Sequence, residues 1–101
     1  MDIRKKIQKI LNQTNPMLRT HLDVNDEFLI KLKATDPEVL TDAEHQELEI
    51  LAGAKRVDRL VDLLKKISKD QFYQFMEVLQ QNDQELYVEV KGVYDKQFPG
   101  I

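Results

Sequence analysis

Two consecutive apolar stripes decide most of what this chain can fold into. Val57, Leu60, Val61, Leu64 and Ile67 recur at i, i+3, i+4, i+7 and i+10, which places them on one face of an α-helix. Phe72, Phe75, Met76 and Leu79 repeat that period a few residues later. Two amphipathic helices joined so closely must pack against each other and against further helices, or leave their stripes in water. These residues therefore build a core, and the function has to be sought on the faces they leave outside.

The rest of the chain supplies the remaining helices. Ile3, Ile7, Ile10 and Leu11 form an inward stripe after Asp2, a candidate cap. Pro16 cannot continue a hydrogen-bonded helix but suits the start of one. The first helix is therefore expected to be kinked or split there, restarting with Leu18 and Leu22 buried. Asn25 caps a second helix reaching about Ala34, with Phe28, Leu29 and Leu32 inward, and Asp36-Pro37 ends it. Thr41 to Glu44 is a capping box that opens a third helix to about Ala52, with Gly53 as its left-handed stop. The fourth helix spans about Ala54 to Ile67. Ser68 to Gln71 is a second box opening the fifth helix, and Asn82 to Glu85 reads as a third box opening the sixth. Leu86 and Val90 point inward, and Gly92 is the expected stop. The expectation is an all-α, six-helix antiparallel bundle over residues 1–92, followed by a short flexible tail over 93–101.

Composition narrows the chemistry. With 101 residues the chain makes one domain with one modest core. No apolar run approaches membrane-spanning length, and the charge-studded MDIRKKIQKIL start is unlike a secretory signal. Zero Cys rules out disulfides, thiol nucleophiles and thiolate metal sites, in keeping with a cytoplasmic protein. Ser68 is the only serine, and its capping position explains it. His21 and His45 are the only histidines and share no metal-ligand spacing. Three scattered glycines cannot cradle a phosphate. An enzyme is not expected, nor a cofactor or a small-molecule substrate.

Charge is the informative quantity. The net value of −3 hides blocks of +4 over residues 1–22, −7 over 23–53, +3 over 54–70 and −3 over the remainder. Such a chain presents opposite-signed patches, which suits recognition of a copy of itself or of a relative. Lys5, Lys9, Lys55, Arg56 and Arg59 are the candidate basic contacts. Asp26, Glu27, Glu47 and Glu49 are the acidic ones. Asp26 and Glu27 also lie in a first turn, where the helix dipole favours acids in any case. Ile30 faces outward and is a candidate apolar anchor.

The run Leu40-Thr41, an acidic third helix, then AKRVDRLVDLLKK, FYQFMEVLQ and ELY resembles a caspase recruitment domain of the death-fold superfamily. The residues that carry the likeness are Leu40, Thr41, Glu44 and Leu48; Lys55, Arg56, Leu60, Leu63 and Leu64; Phe72, Phe75 and Leu79; and Leu86. The likeness covers about Ile3 to Gly92, and a first helix interrupted at Pro16 fits it. One departure is Ile67-Ser68, where the family often has Gly. Pyrin and death-effector domains are sister folds with similar electrostatics. Within the family the chain is similar to the domains that head coiled-coil and membrane-associated guanylate-kinase scaffolds. The resemblance implies a homotypic interaction module of apoptotic or innate-immune signalling, whose partners are death-fold domains, with neither nucleic acid nor direct membrane contact. A nucleic-acid-binding helical domain, or a decoy that blocks assembly, is the alternative.

Overall fold

The computed structural model describes residues 3–99, which form six α-helices and no strand. They are α1 (Ile3–His21), α2 (Asp26–Lys33), α3 (Asp42–Glu49), α4 (Gly53–Leu64), α5 (Lys69–Asn82) and α6 (Gln84–Gln97). One apolar core runs through all six, and both stripes read from the sequence lie in it, with Ile67 packed at its edge. Its centre is aromatic. Phe28 meets Phe75 edge-on at 6.4 Å, Phe75 leans on Phe72 at 5.7 Å, and Phe72 stacks on Tyr94 at 6.1 Å and 9°. Offset and edge-on pairs of this kind stabilise beyond the area they bury.

The helix starts follow local hydrogen bonding. The Asn25 side chain accepts from Phe28 N, the Thr41–Glu44 box closes in both directions, and so does the Ser68–Gln71 box. Gln71 also donates from Nε2 to the Glu38 carbonyl, tying the start of α5 to the loop before α3. In that loop Thr35 Oγ1 donates to Leu32 O and accepts from Val39 N, which holds Val39 and Leu40 inside.

Helix direction can be read from side-chain contacts. Lys6 lies over the Phe98 ring, while at the other end Met17 and His21 share a groove with Asp83 and Leu86. Thus α1 and α6 run in opposite directions. So do α5 and α6, which turn about the single residue Asp83 and bring Phe72 onto Tyr94.

Several expectations need correction. The first helix is not broken: α1 is helical straight through Pro16. Pro16 is exposed, Thr14 and Leu18 on either side of it are buried, and the hydroxyls of Thr14 and Thr20 donate to Ile10 O and Pro16 O. Packing therefore holds a helix that local propensity would interrupt. Ile3 is not inward but half-exposed, because it sits on the first turn of α1 beside the open groove that separates it from the turn between α4 and α5. The third helix stops at Glu49, short of Ala52. Gly53 does adopt a left-handed φ of 59°, but as the first residue of α4. The fourth helix ends at Leu64 rather than Ile67.

Asn82 is the last residue of α5 and donates to Val78 O; the cap of α6 is Asp83, whose carboxylate accepts from Leu86 N. The helical domain also does not end at Gly92. The α6 helix continues to Gln97, and Tyr94 and Phe98 extend the Leu86–Val90 stripe into the core, so residues 93–98 belong to the bundle. That burial outweighs the roughly 1 kcal/mol that a helical glycine costs. The cap expected of Asp2 and the end of the expected tail lie outside the described residues.

Candidate interaction surface

The α3–α4 corner is where sequence and structure differ most about function. The last carbonyls of a helix have no intrahelical donor. At the end of α3 they find one in Arg56. Its Nε donates to Leu48 O at 2.9 Å and Leu51 O at 2.8 Å, Nη2 donates to Glu49 O at 3.0 Å, and Nη1 donates to Val24 O at 2.6 Å. Asp26 Oδ1 stands 3.8 Å from Nη1. One guanidinium thus joins the α1–α2 loop, the end of α3 and α4. Arg56 was expected to present its charge to a partner; it is spent inside the fold.

Arg59 and Glu47 were expected on opposite patches of a contact between molecules. Here they bind each other, with Arg59 Nε 2.6 Å from Glu47 Oε1 and 3.2 Å from Oε2. The hydrogen bond to Arg59 holds the Glu47 carboxyl below the ordinary value of 4.5 and raises the Arg59 guanidinium. A similar clasp joins α2 to α3, where Lys33 Nζ lies 2.7 Å from Asp42 Oδ1. It lowers the Asp42 carboxyl and raises the Lys33 amine. Arg19 and Asp58 bridge α1 and α4 at 2.8 Å. In these pairs opposite charges hold neighbouring helices together.

The remaining candidates keep more freedom. Asp26 is exposed at the start of α2. Glu27 makes an i, i+4 pair with Lys31 at 3.4 Å, and Glu49 Oε1 lies 3.2 Å from His45 Nδ1; both carboxylates stay accessible. Lys5, Lys9 and Lys55 are exposed and have no ion pair among the described residues. Lys5 and Lys9 lie one turn apart on the face of α1 turned away from Ile7, Leu11 and Leu18. Ile30 is exposed as expected, and Ile50, which sequence reasoning passed over, is 84% exposed beside Glu49. Ile50 is the C-cap of α3, which ends sooner than its sequence suggests, so the helical period expected there does not extend to it.

Of the two histidines, His21 is exposed and His45 is buried, with no hydrogen-bond partner for Nε2 among the described residues. No group of three His, Asp or Glu side chains there is placed to hold a metal ion. No described helix is long and apolar enough to cross a membrane. The chain matches no protein-family model, no curated protein and no solved structure.

Proposed function

We propose that this chain is a homotypic interaction module of the death-fold type, acting by binding rather than catalysis in a cytoplasmic signalling adaptor or scaffold. The observation that carries this reading is the separation of exposed charge. Lys5, Lys9 and Lys55 have no acidic partner among the described residues, while Asp26, Glu27 and Glu49 stand on the α2–α3 side with Ile30 and Ile50 as apolar neighbours. Two copies, or two related domains, can appose these faces and bring the lysines against carboxylates that stay accessible. The order of the leucine-threonine cap, the basic fourth helix and the aromatic fifth helix supports the caspase-recruitment reading. So does Pro16 within α1, where the missing N–H favours a bend.

The test is size-exclusion chromatography with light scattering on wild type, on Lys5→Glu/Lys9→Glu and on Asp26→Lys/Glu49→Lys, with circular dichroism as the fold control. Wild type should associate with rising concentration, each variant should stay monomeric, and mixing the two variants should restore a dimer. High salt should weaken the wild-type contact, because exposed charges are screened over about 8–10 Å at physiological ionic strength. A wild type that stays monomeric, alone and with death-fold domains, would overturn the reading. So would variants that assemble as wild type does.

A further inference from the structure

A second basic surface lies apart from the face just described. The first turn of α1, the turn after α4 and the start of α5 meet around an open groove of about 610 Å³, lined by Ile3, Arg4, Lys66, Ser68 and Lys69 among others. Lys6 and Lys69 both reach over the Phe98 ring, at 5.2 and 4.6 Å, which fixes the end of α6 beneath the same corner. Lys65 and Lys66 are neighbours in sequence. Lys6, Lys65, Lys66 and Lys69 form no ion pair among the described residues, although Asp70 and Glu38 lie nearby. At the seams between neighbouring helices Arg19, Lys33, Arg56 and Arg59 each face a carboxylate. At this corner Lys6, Lys66 and Lys69 gather without one among the described residues.

We infer that this corner docks the domain on an anionic lipid surface. A cluster of cations at one end of a small domain, here Arg4, Lys6, Lys66 and Lys69, attracts the negative face of a membrane, with each basic side chain adding about 1 kcal/mol near the surface. Duplex nucleic acid would satisfy the same charges but has no use for Ile3. That side chain is 47% exposed in the midst of the cations, where it can enter the headgroup layer. Single-stranded nucleic acid would need an aromatic platform for its bases. The ring at this corner, Phe98, is buried under Lys6 and Lys69. An acidic protein would suit the lysines, but the exposed isoleucine among them favours lipid. The docking contradicts the sequence-based expectation of no membrane contact. It does not depend on homotypic association, because Lys5 and Lys9 serve that reading and Ile3, Lys66 and Lys69 serve this one.

The experiment is cosedimentation with vesicles of phosphatidylcholine alone and with about a third of the lipid replaced by phosphatidylserine. Wild type should partition onto the phosphatidylserine vesicles and not onto the neutral ones, and salt should release it. Lys66→Gln should reduce partitioning about fivefold, the equivalent of ~1 kcal/mol, and Lys66→Gln/Lys69→Gln further. Ile3→Ser should weaken binding with the charge unchanged. Lys5→Glu/Lys9→Glu should lose self-association in light scattering and keep more vesicle binding than Lys66→Gln/Lys69→Gln. No preference for phosphatidylserine vesicles would overturn the inference. So would an Ile3→Ser protein that binds them as wild type does, or tighter retention by duplex DNA with the same lysine dependence.

Discussion

Arg59 and Glu47 form a short two-oxygen clasp between α4 and α3, 12 residues apart in the chain, and each side chain is about two-fifths exposed. The pair fixes the angle at which the acidic helix leans on the basic one. Arg59→Glu and Glu47→Lys should each lower the denaturant midpoint by placing like charges face to face. The doubly exchanged chain, Arg59→Glu with Glu47→Lys, should recover most of the loss within one molecule. Chemical denaturation of the four proteins gives the coupling directly. Midpoints that shift independently would refute the clasp.

The same clasps predict an acid limb in stability. The folded-state pKa values of Glu47 and Asp42 lie below their ordinary values of 4.5 and 3.8, because Arg59 and Lys33 favour the ionised forms. A carboxylate lowered in this way contributes stability above its unfolded pKa and loses it as pH falls through the folded one. Stability should therefore be level near neutrality and decline below about pH 4.5. Glu47→Gln and Asp42→Asn should each flatten that decline. Denaturant titrations from neutral to strongly acidic pH, with and without added salt, supply the curve.

Arg56 should be the least replaceable basic residue. Hydrogen bonds between a charged donor and its acceptor contribute roughly 1.5–3 kcal/mol, and Arg56 supplies donors to four carbonyls on three segments. Lysine keeps the charge but lacks the planar fork. Arg56→Lys should cost about 2–3 kcal/mol and Arg56→Ala somewhat more. Hydrogen exchange through residues 48–53 should accelerate in both. If Arg56→Lys unfolds at the wild-type midpoint, the carbonyl network contributes no stability.

The two described glycines should respond with opposite signs. Gly92 lies inside α6, and a methyl group added there meets nothing within 4 Å. Gly92→Ala should stabilise the domain by about 0.5–1 kcal/mol. Gly53 also has open space around it, but its φ of 59° is one that a side chain disfavours. Gly53→Ala should cost roughly 1–2 kcal/mol. Thermal unfolding of the two variants checks both signs at once.

These residues also show how far the chain could be read in advance. Stripes such as Val57–Leu64 and Phe72–Leu79 placed α4 and α5 because burial acts on a fixed angular period, and the caps at Asn25, Thr41 and Ser68 placed three helix starts to the residue. The end of α6 was equally visible, since Val90, Tyr94 and Phe98 continue one period. It was missed because Gly92 was weighted as a stop. The fate of the charges was a different matter. Arg56 binds backbone carbonyls, one of them 32 residues away, and a carbonyl has no letter in the sequence. Arg59 and Glu47 did carry a signal, because a basic helix following an acidic one can satisfy itself as readily as it can attract a partner. Only the packing of α3 on α4 decides between the two. The lysine corner was hidden because it joins the start of α1 to the turn between α4 and α5, which lie far apart in the chain.

Phe98 under Lys6 and Lys69 has a topological consequence. The last turn of the final helix touches the first turns of α1 and α5, so the two ends of the described chain lie side by side. A domain built this way can sit within a loop of a larger protein without stretching its host. It also lends itself to circular permutation, with a short linker closing the old ends and new ones opened at an exposed turn such as that around Pro37.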